Sequence, residues 1–139
     1  MTPVMDAAAL TVFLEREFPQ VHGDFIVERV ASMEVSVRLN VAERHLRPGG
    51  TVSGPAMFAL ADVAIYLATL AMIGPKALAV TTNCSIDFMR KPAAGCDLIC
   101  QARLLKLGRV LAVGDALIFS EGQDRAVARA GLTYSIPPR

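Results

Sequence analysis

A single carboxylate interrupts the longest apolar stretch of this chain. Across the 28 positions between Arg47 and Lys76 the only charged residue is Asp62, set inside the run Ala56-Met-Phe-Ala-Leu-Ala-Asp-Val-Ala-Ile-Tyr-Leu-Ala-Thr-Leu-Ala-Met-Ile73. Burying an unpaired charge costs several kcal/mol even after relaxation, which is comparable to the whole stability of a small domain. Asp62 must therefore border a wet pocket or own a specific partner. The structural alternative is a carboxylate tied to a basic side chain or to backbone amides in the core. A membrane span is disfavoured, because Pro55 and Pro75 flank the run and a charge sits near its middle.

The rest of the composition narrows the setting. At 139 residues, 53% of them apolar, the chain fits one domain, residues 1–139, with a helical segment over 1–20. So high an apolar share points to a buried subunit interface. With 14 basic against 13 acidic residues there is no electrostatic case for nucleic acid. The start, Met-Thr-Pro-Val-Met-Asp, lacks the basic and apolar regions of a secretory signal, so a cytoplasmic protein is expected. Cys84, Cys96 and Cys100 fall in predicted strands with no His or fourth Cys nearby, which favours reduced structural thiols over a metal site. His22 and His45 read as ordinary surface or loop histidines, although His45 lies close to a glycine-rich loop.

Periodicity predicts an amphipathic helix over 6–18, then extended segments over 25–30 and 33–41. In the second segment Met33, Val35, Val37, Leu39 and Val41 alternate with polar residues, so one face is buried and the other wet. The loop Arg47-Pro-Gly-Gly-Thr-Val-Ser-Gly-Pro55 feeds the apolar run, with Pro55 suited to a first helical position and Ser53 or Gly54 to the cap. The run is thus a helix, apolar nearly all round, to be wrapped in the core. Strands are predicted over 78–89, 98–106, 109–119 and 126–134, joined by short connections as a meander. The expected class is α+β, an antiparallel sheet wrapped around a long central apolar helix.

The segment from Arg47 through Ile73, then Ala79-Val-Thr-Thr-Asn-Cys-Ser-Ile-Asp-Phe-Met-Arg-Lys-Pro92 and Lys106-Leu-Gly-Arg109, resembles the hotdog-fold thioesterases, specifically acyl-CoA thioesterases of the phenylacetate-pathway (PaaI-like) type. The resemblance spans about residues 25 to 136 and implies the hotdog fold, a cofactor-free homodimer and often a dimer of dimers. It matches Asp62 to the catalytic acid and Gly54 to the position whose amide binds the thioester carbonyl oxygen. Thr81 matches a hydroxyl position that orients water. Where relatives read His-Gly-Gly this chain has Ser53-Gly54-Pro55, and Arg47 stands where they commonly carry Asn.

Thioester hydrolysis needs a donor for the developing oxyanion and a base or nucleophile across the carbon. The Gly54 amide at a helix start offers the donor, assisted by the macrodipole. Asp62 follows eight residues later, about 12 Å along the axis at about 1.5 Å per residue. One helix therefore should not complete a site, whereas two antiparallel helices could place Gly54 of one beside Asp62 of the other. Phe58 and Tyr66 neighbour Asp62 at helical spacing and are expected to touch substrate. Arg90, Lys91, Lys106 and Arg109 sit at strand ends that a meander would gather into a phosphate-binding patch for coenzyme A. Two rivals stand beside acyl-CoA hydrolysis: a noncatalytic acyl-CoA binding module, and an enoyl-CoA hydratase, which would pair its Asp with a nearby His that this chain lacks. A Ser-His-Asp hydrolase is disfavoured by the missing Gly-x-Ser-x-Gly elbow.

Overall fold

The computed structural model describes residues 1–21 and 23–138, so the histidine at position 22 lies outside the described residues. Helix α1, Ala7–Glu17, opens on Asp6, whose carboxylate accepts the Ala9 amide at 2.8 Å, and buries Leu10, Phe13 and Leu14. Strands β1, Phe25–Ala31, and β2, Glu34–Leu39, form a hairpin that precedes helix α2, Gly54–Ile73. Four strands follow: β3 (Val80–Phe88), β4 (Leu98–Leu107), β5 (Leu111–Ser120) and β6 (Ala126–Ser135).

The six strands make one fully antiparallel sheet in the order β1-β2-β4-β5-β6-β3. The alternation read from β2 holds: Val35, Val37 and Leu39 are buried, while Arg38 lies on the other face among Glu28, Asp97 and Glu121. Met33 does not continue that strand. It takes a left-handed turn conformation, φ 63°, fixed where its carbonyl accepts the Leu104 amide at 2.7 Å.

The predicted meander holds only for β4, β5 and β6. Strand β3 lies beyond β6 at the sheet edge, and residues 89–97 carry the chain back past two strands to β4. That is about 14 Å at ~4.8 Å per strand, well within the reach of nine residues. The stretch around Pro92 and Gly95 has hairpin composition, but the β3 edge is satisfied by β6 instead. Cys96 accordingly sits in this connection, while Cys84 and Cys100 lie in strands; none forms a disulfide.

Helix α2 fills the concave face. Leu60, Ile65, Leu67 and Leu70 are wholly buried, each contributing roughly 1.5–3 kcal/mol relative to exposure. By length and composition α2 could cross a membrane, but most of it is buried inside the molecule, so its greasiness is that of a core rod. The sheet approaches it closely at Gly114, where a Cβ would stand 2.7 Å from Ile65 Cδ1 and 2.8 Å from the Arg103 carbonyl oxygen. Only glycine fits there.

Candidate active site

Asp62 projects from α2 toward the paired strands β3 and β6. Thr81 on β3 and Tyr134 on β6 are cross-strand partners, and both donate to the same atom: Thr81 Oγ1 lies 2.5 Å and Tyr134 Oη 2.7 Å from Asp62 Oδ1. A bulge between Thr81 and Asn83 makes this possible. By strict alternation with the half-buried Cys84 and Ile86, residue 82 would point inward, yet Thr82 Oγ1 lies 3.3 Å from the Thr133 carbonyl and Thr81 turns to the helix. Bulges commonly re-aim a side chain in this way.

The Tyr134 phenol is buried and also lies 2.9 Å from the Asp62 carbonyl oxygen, so its single hydrogen is shared between two acceptors. Burial, and then the negative charge of Asp62, push its pKa up, keeping it a protonated donor. No cation lies within ion-pair distance of Asp62 among the described residues, and no backbone amide donates to it there. The alternative of a carboxylate locked to a basic group is thereby set aside. Oδ2 has no partner among the described residues and is not sealed from solvent. Asp62 lines a crevice of about 520 Å³ floored by Val63, Tyr66 and Ala79, with Glu17, Phe18 and Gln20 at its rim.

Gly54 begins α2 at the other end of the sheet. Ser53 caps the helix, its Oγ accepting the Ala56 amide at 3.3 Å, so that hydroxyl is engaged; Pro55 follows in the first turn. The Gly54 N–H has no acceptor among the described residues, and Pro55 has no N–H to compete with it. His45 builds this entrance. It is buried rather than superficial, its Nδ1 accepts the Ala42 amide at 2.8 Å, and its carbonyl accepts the Ser53 amide at 2.8 Å. The cleft at Gly54, about 450 Å³, is lined by Arg47, Met57, Phe88, Arg90 and Lys91, with the Phe88 ring 3.2 Å from where a Gly54 Cβ would be.

The expected basic patch is divided within one protomer. Arg90 and Lys91 follow β3 beside the start of β6, where an Arg90 nitrogen donates to the Ala126 carbonyl at 2.5 Å. Lys106 and Arg109 lie at the β4–β5 hairpin, level with the end of β6. The ten residues of β6 separate the two pairs by about 30 Å. Strand order is not the cause: successive turns of an antiparallel run lie at opposite ends of its strands, so residues before β4 and residues at the β4–β5 turn would stand a strand length apart even in a continuous meander. Phe58 also departs from expectation: it is exposed and lines neither cleft, whereas Tyr66 lines the Asp62 crevice and bonds the Ala77 carbonyl at 3.0 Å.

Sequence reasoning missed Tyr134. Its inward register with Ala128, Ala130 and Leu132 was a readable signal, since a phenol on an apolar strand face needs a polar partner. Phe88 and the rim from α1 carried no comparable mark.

A six-stranded antiparallel sheet wrapped on one long helix, with an acid midway along it and a free amide at its start, defines a hotdog-fold thioesterase-like protein. The model of the thioesterase superfamily matches residues 49–127, and the chain belongs to that superfamily. A crystal structure from Silicibacter sp. TM1040, provisionally named a thioesterase, is 62% identical, with a TM-score of 0.93 over 99% of this chain and 96% of that one. The phenylacetic acid degradation protein PaaI of Thermus thermophilus is 31% identical, with a TM-score of 0.73 over 86% of this chain and 99% of that one. A provisionally named esterase of Pseudomonas aeruginosa is 30% identical over 115 residues, 83% of this chain and 84% of that protein.

Proposed function

We propose that this chain hydrolyses acyl-CoA thioesters to a carboxylic acid and coenzyme A at sites shared between two copies. The observation that carries the reading is the Asp62 carboxylate, held on Oδ1 by two hydroxyls and open on Oδ2. Its charge is oriented without being neutralised, which suits a group that must take a proton from water or attack a carbonyl carbon. The Gly54 amide supplies the complementary donor for the carbonyl oxygen as it turns negative. The carbon–sulfur bond then breaks, and the sulfur leaves as thiolate to be protonated.

Asp62 and Gly54 line different clefts, about 12 Å apart along one helix axis. Strand β3 offers a way to unite them. It is a nine-residue sheet edge, largely exposed, with Val80 and Phe88 at its two ends. Two copies pairing antiparallel about Cys84 would extend the sheet and bring the Val80 end of one, with Asp62, against the Phe88 end of the other, with Gly54. Open edges of this kind favour such pairing. The dimer can pair again into a tetramer. Arg47, Arg90 and Lys91 ring the Gly54 cleft and suit the phosphates of coenzyme A.

The decisive experiment is free-thiol release from a panel of acyl-CoA esters, alongside equilibrium binding of the same esters. Turnover that disappears in Asp62→Asn while binding persists supports the hydrolase. Binding without turnover in the native protein leaves the noncatalytic module, and loss of enoyl absorbance without thiol release would indicate a hydratase.

A further inference from the structure

The two clefts differ sharply in charge. Around Gly54 stand Arg47, Arg90 and Lys91, whereas among the described residues the charged ones lining the Asp62 crevice are Asp62 and Glu17, both acidic. If the thioester spans the two clefts as proposed above, its anionic coenzyme half belongs on the Gly54 side and its acyl half extends into the Asp62 crevice.

That crevice has a wall from outside the matched family region. The last turn of α1 and the short 3-10 turn after it bring Glu17, Phe18 and Gln20 to its rim, over the apolar floor of Val63 and Tyr66. The placement is fixed from beneath: Phe13 on α1 packs on Tyr66 at 6.5 Å between ring centroids, and Tyr66 packs on Tyr134 at 5.9 Å. The Arg16 guanidinium lies over the Phe13 ring, 5.7 Å from its centroid, and is not among the residues lining the crevice. The negative charge of Glu17 reaches the crevice floor, where, after burial, it is the second cause raising the pKa of the Tyr66 phenol.

We propose that Glu17 is a specificity-determining residue that makes the acyl crevice reject substrates with a second carboxylate, so that the enzyme acts on acyl groups with neutral tails. This rests on the thioesterase reading. A tail carboxylate entering the crevice meets a like charge at the rim and an apolar floor, and such juxtapositions are strongly unfavourable. Phe18 supplies apolar surface for a neutral tail.

The test compares hexanoyl-CoA with adipoyl-CoA, which have equal carbon chains and differ by a terminal carboxylate, on the full chain and on Glu17→Gln, Glu17→Lys and the surface control Glu15→Gln. Native protein and control should favour hexanoyl-CoA in kcat/KM by at least about tenfold, a preference that shrinks as salt is raised. Glu17→Gln should narrow the ratio by at least about threefold and Glu17→Lys further still, through a rise in kcat/KM for adipoyl-CoA. A ratio unmoved in both Glu17 variants, with hexanoyl-CoA still hydrolysed, overturns the role of Glu17 and leaves the thioesterase reading standing. Absence of thiol release from every ester in the native protein would overturn both.

Discussion

Thr81 and Tyr134 face each other across β3 and β6 and converge on one oxygen of Asp62, at 2.5 and 2.7 Å. Two neutral donors on one oxygen fix the carboxylate plane while leaving its charge in place. Tyr134→Phe and Thr81→Val should each lower kcat by about tenfold and cost about 1 kcal/mol of stability, on the scale of one hydrogen bond. Because they share an acceptor, the double variant should lose less than the product of the single losses. A double-mutant cycle on kcat reads this directly, and fully multiplicative losses would contradict a common acceptor.

Asp62→Asn keeps the shape of the side chain and removes its charge. Hydrolysis should fall by about two orders of magnitude or more, with the far-ultraviolet spectrum and oligomeric state preserved. Native turnover in this variant would end the catalytic assignment.

Shared sites predict complementation. Gly54→Pro removes the free amide at a position where the helix tolerates proline, so homodimers of this variant and of Asp62→Asn should both be nearly inactive. In a mixed dimer one site carries both lesions and the other neither. Refolding an equal mixture should recover about a quarter of native activity, since half the dimers are mixed and each has one intact site. No recovery would mean that each copy works alone.

Gly114→Ala tests the helix-to-sheet approach. The added methyl would stand 2.7 Å from Ile65 Cδ1 and 2.8 Å from a backbone oxygen. Overpacking of this kind costs about 1–3 kcal/mol, seen as a lower Tm, and Ile65→Val should relieve only part of it because the carbonyl remains.

Alkaline pH should weaken the fold. Burial pushes the Cys100 thiol up, and the Tyr66 and Tyr134 phenols are raised as well. Groups with raised folded pKa values stabilise fully below their unfolded pKa values, and that stability drains away as pH rises above them. Thermal melts should therefore be insensitive to these groups below about pH 8.5, then decline by up to about 1.4 kcal/mol per pH unit from Cys100, with the phenols joining above about pH 10. Cys100→Ala should flatten the first part of the decline.

Much of the architecture was written in one-dimensional patterns. The eighteen-residue run read as a core helix once its single acid and flanking prolines were weighed, and α2 occupies it. The β2 alternation predicted its buried face residue by residue, because strand side chains must alternate. Asp62 itself was conspicuous for a purely energetic reason: a charge in such surroundings has to be accounted for.

Strand order was not legible, because any open edge can satisfy the same backbone groups, and local composition around Pro92 and Gly95 suited a hairpin as well as a crossing. The division of Arg90 and Lys91 from Lys106 and Arg109, by contrast, could have been read from the alternation of turns, since the two pairs flank opposite ends of β4. The bulge at Thr82 was invisible for a related reason, as it depends on the register against Thr133 rather than on residue type. Sequence alone determined that an acid would sit on a buried rod with a free amide at its head, since hydrophobic periodicity and helix-end chemistry are local. Only the tertiary structure decided that Tyr134 would join Thr81 on that acid and that α1 would rim its crevice, because those meetings depend on strand pairing and packing between segments far apart in the chain.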